Sequence, residues 1–138
     1  MAGLLAPMVT PGDSTAADRG RVSAFCDLFY RQKRVREAFE TYVAPDYIQH
    51  SAGIAQGREA AIVFLTPMFA RDGFTLVPVR IMLDADIATV VLDVTAGAVR
   101  AVVIDLFRLK DGLIVEHWDV KGEMTAEVAS GYFTGFAR

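Results

Sequence analysis

The chain has 138 residues, which is the size of one domain built around a single core. Its formal charge of −3 leaves no broad basic surface for phosphates, so we expect no nucleic-acid partner. An apolar fraction of 53% favours self-association, and one cysteine with two histidines excludes an intrachain disulfide and argues against a zinc site. We therefore expect neither a metal nor a cofactor.

Residues 1–15 contain Pro7 and Pro11 but no repeating apolar pattern, which predicts a flexible N-terminal arm. The first ten residues lack a basic start, and Pro7 interrupts their apolar run. They therefore fit neither a signal peptide nor a membrane span. The sequence predicts a cytoplasmic protein that does not bind membranes.

Apolar residues at helical spacing predict three helices in the first half of the chain. Ser14 or Thr15 can cap the first helix, near residue 16. Pro45 ends the second, because proline cannot continue the helical hydrogen bonds. A short extended piece over 47–50 follows, and its last residue, His50, is expected to overhang the open end between sheet and helices. The third begins at Gly57 and ends at Gly73. The residues with helical spacing are Val22, Phe25, Cys26 and Phe29, then Val35, Ala38, Phe39 and Tyr42, then Ile62, Val63, Leu65 and Phe69.

After Gly73 the apolar period changes to two, with β-branched residues over 74–83, 87–94, 99–109 and 113–120. Short turns separate these strands and favour antiparallel hairpins. Helices followed by strands predict an α+β domain over residues 16–124, with the helices on one face of a curved antiparallel sheet. The tail, 125–138, is expected to pack on the domain or on a partner.

The last hairpin brings an acid and a base together. A three-residue loop, Lys110-Asp111-Gly112, places Asp105 opposite His117 and Phe107 opposite Val115 on one sheet face. Opposed residues have Cβ atoms about 4.5–5.5 Å apart, so the carboxylate and the imidazole can form a hydrogen bond. Such a pair can move a proton to or from a carbon acid or a carbonyl. Alternatively, it is a buried pair that only fixes the strand register.

Strand alternation assigns Leu106, Ile114 and Trp118 to the opposite face of the sheet. Leu106 and Ile114 would make that face apolar, so we expect a homodimer to form through it. Arg100 lies near a hairpin end and is expected to pair with Asp93.

Two segments, Tyr47-Ile48-Gln49-His50-Ser51-Ala52 and Asp105-Leu106-Phe107-Arg108-Leu109-Lys110-Asp111-Gly112-Leu113-Ile114-Val115-Glu116-His117-Trp118-Asp119-Val120, resemble the SnoaL-like family of the nuclear-transport-factor-2-like superfamily. The resemblance implies a cone-shaped fold with three N-terminal helices on a curved antiparallel sheet. Members of this family include polyketide cyclases that use cavity His and Asp residues without a metal. The superfamily also includes isomerases, dehydratases and epoxide hydrolases, so the fold alone does not give the function.

The resemblance implies that Asp105 and His117 are the acid–base residues of an internal pocket. It also makes Asp119 a further candidate acid–base position and places His50 at the family's recurrent histidine. Together with Gln49, Tyr47 and Phe107, these two residues are expected to bind the ligand. We expect a cofactor-free acid–base enzyme of the aldol cyclase, isomerase or dehydratase type, acting on a small hydrophobic carbonyl compound. The alternative is a non-catalytic dimeric module that binds a ligand or a protein. An epoxide hydrolase ranks lower, because that chemistry needs an arginine beside two carboxylates and Arg100 is expected to pair elsewhere.

Overall fold

The computed structural model describes residues 15–136. The predicted arm therefore lies outside the described residues, except for Thr15. The first half contains α1 (Ala16–Cys26), a π-helical turn (Asp27–Arg31), α2 (Val35–Tyr42), β1 (Val43–Gln49) and α3 (Arg58–Phe69). The second half contains β2 (Phe74–Asp84), β3 (Ile87–Ala96), β4 (Val99–Lys110), β5 (Leu113–Met124) and α4 (Ala126–Ala129).

The five strands form one sheet in the order β1-β5-β4-β3-β2. All neighbouring strands are antiparallel except β1, which pairs in parallel with β5. The sequence predicted the four-stranded meander, but β1 was expected only as a short piece over 47–50. Instead β1 begins at Val43 and includes Pro45. A proline is tolerated there because β1 is an edge strand.

Helices α1 to α3 supply most of the buried residues outside the sheet, and their aromatic rings pack on its inner face. The hydroxyl of Thr15 accepts a hydrogen bond from the backbone N–H of Asp18 at 3.0 Å, which caps the start of α1. From α1, Phe25 is fully buried, and its ring centroid lies 5.4 Å from that of Phe107 on β4. The first helix is thereby fixed against the strand that carries Asp105.

The end of the first helix widens into the π-helical turn. The N–H of Gln32 donates to the carbonyl of Asp27 at 3.0 Å, a spacing of five residues instead of four. The consecutive rings of Phe29 and Tyr30 are both buried in this turn. The turn therefore delivers a tyrosine hydroxyl, as well as apolar surface, to the interior.

The C-terminal segment lies against the domain's own sheet. The short helix α4 contacts β4 and β5. Further along, the guanidinium of Arg80 donates to the carbonyl of Phe136 at 3.0 Å and lies over the Phe136 ring. Among the described residues, no helix is long and apolar enough to cross a membrane.

Candidate active site

The register of the last hairpin differs from the predicted one. The turn contains two residues, Asp111 and Gly112, both at positive φ, so Lys110 pairs with Leu113. A β-bulge at Val115 then adds one residue to β5. As a result Phe107, not Asp105, is opposite His117, and Asp105 is opposite Asp119.

The bulge also changes which residues face outward. Ile114 pairs with Leu109 and is buried in the core, so the expectation that Ile114 lies on the outer face is wrong. Leu106 does lie on the outer face, opposite Trp118. Beyond the bulge, His117 and Asp119 return to the inner face.

Asp105 and His117 are in contact, as predicted, although they are diagonal neighbours. Oδ1 of Asp105 lies 2.9 Å from Nε2 of His117, and both side chains are buried. The other carboxylate oxygen accepts a hydrogen bond from the hydroxyl of Tyr30 at 2.5 Å. The carboxylate of Asp105 therefore has a partner for each oxygen, as a buried charge requires.

The second nitrogen of His117 also has a partner. Nδ1 lies 2.7 Å from Oε1 of Gln49, and Nε2 of Gln49 donates to the hydroxyl of Tyr47 at 2.6 Å. The backbone places this chain of contacts, because Gln49 on β1 is directly beside His117 on β5. Tyr30, Asp105, His117, Gln49 and Tyr47 thus form one continuous hydrogen-bonded chain.

These five hydrogen-bonded side chains form part of the wall of a cavity of about 530 Å³ between the inner sheet face and the helices. A cavity of this size is typical of small-molecule sites. Its apolar wall includes Phe29, Met68, Phe69, Leu76, Leu92 and Val94, and its polar wall includes Tyr30, Tyr47, Gln49, Asp105, His117 and Asp119. The aromatic ring of Phe107 also lines the cavity and stacks on His117 with a centroid distance of 5.0 Å.

The two tyrosines of the site keep their hydroxyl protons and can donate them in hydrogen bonds. Burial, together with the negative charge of Asp105, raises the pKa of Tyr30 well above its usual value, and the same two causes raise the pKa of Tyr47. Both phenols are therefore neutral at physiological pH. The hydroxyl of Tyr47 accepts from Gln49, and within residues 15–136 it donates to no acceptor, so its proton is available to a molecule in the cavity.

Asp119 is the second carboxylate of the cavity wall. Within the described part of the chain, its carboxylate takes part in no hydrogen bond or ion pair. It can therefore accept a hydrogen bond from a ligand without first breaking an internal contact.

His50 lies outside the cavity, contrary to the expectation that it overhangs the pocket. Its ring stacks on Trp118 with a centroid distance of 5.0 Å, and its Nε2 lies 2.7 Å from the carboxylate of Glu116. Both partners belong to the outer face of β5. The physical reason is alternation, because Tyr47 and Gln49 already occupy the inward positions of β1.

The sequence did not reveal the hydrogen bond between Tyr30 and Asp105. No sequence signal marks the π-helical turn that brings Tyr30 to the interior. The predicted pairing of Arg100 with Asp93 is confirmed by a contact of 2.8 Å. Arg100 is not among the residues that line the cavity.

Metal-binding side chains are not clustered in the described residues. Across 15–136, no group of three or more His, Cys, Asp or Glu residues could hold an ion.

Comparison with solved structures gives many matches of the same architecture. A candidate ketosteroid isomerase from Kribbella flavida is 23% identical, with a TM-score of 0.67, covering 80% of this chain and 81% of that one. A candidate SnoaL-like polyketide cyclase from Jannaschia sp. CCS1 is 21% identical, with a TM-score of 0.63, covering 80% and 90%. A nuclear-transport-factor-2-like protein of unknown function from Mesorhizobium loti is 18% identical, with a TM-score of 0.66, covering 83% and 98%.

Identities this low show a common fold and no more, and the predicted α+β, nuclear-transport-factor-2-like fold is confirmed. No curated protein sequence matches the chain significantly. A sequence model of the SnoaL-like domain, however, matches residues 15–117, well over half of the chain. The resemblance seen in the sequence is thereby confirmed, and this chain belongs to the SnoaL-like domain family.

Proposed function

We propose that this protein is a cofactor-free acid–base enzyme that moves a proton at a carbon next to a carbonyl group in a small hydrophobic molecule. Aldol cyclisation, isomerisation and dehydration all begin with such a step. The observation that supports this proposal is the hydrogen-bonded Asp105–His117 pair in the wall of a mostly apolar cavity. A base in such a place meets its substrate away from bulk water, where charge interactions are stronger.

In this proposal Asp105 and His117 act as one proton-accepting and proton-returning unit. The imidazole can carry a proton while the adjacent carboxylate balances its charge. Removal of a proton from the carbon moves negative charge onto the carbonyl oxygen of the substrate. The neutral hydroxyl of Tyr47 is then the group that donates to that oxygen, since its proton has no acceptor within residues 15–136.

Asp119 and Phe107 have binding roles in this scheme. The carboxylate of Asp119 accepts a hydrogen bond from a hydroxyl group of the ligand. The ring of Phe107 provides apolar contact beside His117. Exposed apolar side chains in the cavity wall, Phe64 and Val99, fit a ligand whose hydrophobic body reaches the opening.

The test uses β-tetralone, a bicyclic ketone with acidic hydrogens beside its carbonyl. The protein is incubated with it in deuterated buffer, and deuterium incorporation at those carbons is followed by proton NMR. We expect the wild type to accelerate exchange and Asp105→Asn to lose about 10²–10⁴-fold of the acceleration. The matched control is Asp93→Asn, which removes a carboxylate paired with Arg100 outside the cavity and should exchange like the wild type.

The alternative, a non-catalytic ligand-binding module, predicts a different result in the same experiment. Such a protein would bind β-tetralone, visible as perturbed cavity resonances, without raising the exchange rate above that of buffer. Exchange that is unaffected by Asp105→Asn would contradict the acid–base proposal directly.

The protein is further proposed to be a homodimer that pairs through the outer sheet face. With Ile114 in the core, the apolar residues of this face on β4 and β5 include Ile104, Leu106, Trp118 and Val120. Val120 is 61% exposed and lies on the same face as Trp118. Tryptophan is one of the residues that most often anchor protein interfaces.

A further inference from the structure

Both ring nitrogens of His117 face an oxygen atom. Nε2 faces the carboxylate of Asp105 at 2.9 Å, and Nδ1 faces Oε1 of Gln49 at 2.7 Å. A side-chain amide oxygen can only accept a hydrogen bond. If that oxygen is the atom that faces the ring, Nδ1 must carry a proton.

The surroundings of Gln49 fix the orientation of its amide. Its Oε1 accepts a hydrogen bond from the backbone N–H of Ser51 at 3.1 Å, and its Nε2 donates to the hydroxyl of Tyr47. A flipped amide would turn its NH₂ group toward the N–H of Ser51, placing two donors against each other. The oxygen therefore belongs on the side of His117.

The backbone of Gln49 is held as firmly as its side chain. Oε1 of Gln56 accepts from the N–H of Gln49 at 2.8 Å, and Nε2 of Gln56 donates to the carbonyl of Gln49 at 2.7 Å. One side-chain amide thus makes both hydrogen bonds that a neighbouring strand would make. Gln49 lies on an edge strand, so without Gln56 these two backbone groups would lose their partner.

We propose that Gln49 is a positioning residue that keeps a proton on Nδ1 of His117 and directs Nε2 toward Asp105, and that Gln56 holds Gln49 in place for this task. The mobile proton is then the one between Nε2 and Asp105. The effect on turnover rests on the proposed function, whereas the placement of the proton does not.

The direct test is nitrogen-15 NMR of the imidazole, because a protonated and a bare ring nitrogen resonate in different regions. The chain has two histidines, and His50→Gln removes the signals of the one outside the cavity. At neutral pH we expect a protonated Nδ1 for His117 in this protein. A bare Nδ1 would overturn the proposal without any change at Gln49.

Variants then test the cause. Gln49→Leu removes the amide oxygen at similar volume and leaves the Ser51 hydroxyl, 3.5 Å from Nδ1, as a group that can donate to a bare nitrogen. Nδ1 should therefore convert to the bare form, whereas Gln49→Glu retains an acceptor oxygen and should restore the protonated form. Gln32→Leu is the matched control, since the side chain of Gln32 donates to the Asp27 carboxylate at the surface, away from the cavity. Gln56→Ala removes an exposed side chain and should give a mixture of the two ring forms. An unchanged Nδ1 signal in Gln49→Leu would contradict the role of Gln49, and an unchanged signal in Gln56→Ala would contradict the role of Gln56. If Gln49→Leu does not fold, Gln56→Ala provides the test.

Kinetics separate this proposal from the proposed function. In the deuterium-exchange assay, Gln49→Leu should lower kcat by about 10²-fold, because the imidazole is no longer held in the orientation that proton transfer needs. Substrate binding does not depend on this orientation, so KM should change less than about twofold. If the NMR results are as expected but the wild type does not catalyse exchange, the proton placement stands and the proposed chemistry fails. If the wild type is active and Gln49→Leu is equally active, the positioning role of Gln49 fails alone.

Discussion

Replacing Asp105 by Asn and His117 by Gln, singly and together, tests whether the two residues act as one unit. Each side chain is buried, and the carboxylate accepts a hydrogen bond from Tyr30 and lies 2.9 Å from Nε2 of His117. Hydrogen bonds to a charged group contribute about 1.5–3 kcal/mol each. Because the Tyr30 hydroxyl can turn and donate to the remaining oxygen of Asn, Asp105→Asn should lose mainly the bond to His117.

We therefore expect Asp105→Asn to lower the free energy of unfolding by about 1.5–3 kcal/mol. His117→Gln should cost about 3–5 kcal/mol if it leaves the Asp105 carboxylate buried without its His117 partner. The double variant should cost much less than the sum, because both single changes remove the same interaction. Urea unfolding and deuterium exchange on the four proteins measure stability and activity together.

The activities should be equally non-additive, with each single variant close to inactive and the double variant scarcely worse. If stability falls in this pattern while exchange survives in the folded fraction, the pair is structural and the proposed chemistry is refuted. Additive losses in both measurements would show that the residues do not act together. Asp93→Asn again serves as the control and should cost at most about 1 kcal/mol, because its pair with Arg100 is partly exposed.

Single substitutions at Val120, Tyr30 and Cys26 test three further parts of the structure. Val120→Glu places a charge on the outer face and should shift sedimentation from a dimer to a monomer; a monomeric wild type would contradict the dimer. Tyr30→Phe removes one donor to Asp105 and should cost about 1.5–3 kcal/mol in urea unfolding, whereas a neutral effect would mean that the bond does not form. Burial raises the pKa of Cys26 from 9.0 to about 12, so the neutral thiol stabilises the fold fully below pH 9.0 and this contribution is lost as the pH rises toward 12. Against Cys26→Ala, the wild type should lose about 1.4 kcal/mol more per pH unit in that range, and a thiol reagent should not modify the native protein at pH 8.

The sequence predicted the correct sheet face for Asp105 and His117, although it predicted the wrong partner for each. Strand alternation determines which sheet face a side chain occupies. On β4 the apolar residues Phe107 and Leu109 mark the inner face, and they alternate with the charged residues Arg108 and Lys110. The exact pairing depends on the length of the turn and on the bulge at Val115. The turn was predicted one residue too long and the bulge was not predicted, and together these shifted the pairing by two residues, which leaves the face unchanged.

Contacts between distant segments were beyond the sequence. Tyr30 is 75 residues from Asp105, and Gln49 is 68 residues from His117. Nothing in a single sequence relates such positions, because they are joined by how α1 packs on β4 and by the parallel pairing of β1 with β5. The hairpin alone could be predicted, since its two strands are adjacent in the chain.

The error at His50 has a more specific cause, which lies in the phase of β1. Hydrophobicity would place Ile48 inside and its polar neighbours outside, yet Ile48 is 49% exposed and Gln49 is 4% exposed. The strand obeys alternation but inverts polarity, because its inward side chains bind His117 and face a cavity instead of filling a core. Such a conflict between local preference and global position is expected where a fold carries a functional site. An outward isoleucine next to a buried glutamine therefore supports a site at this end of β1. The sequence assigned Tyr47, Gln49 and His50 together to the binding site, although alternation brings only the first two inward.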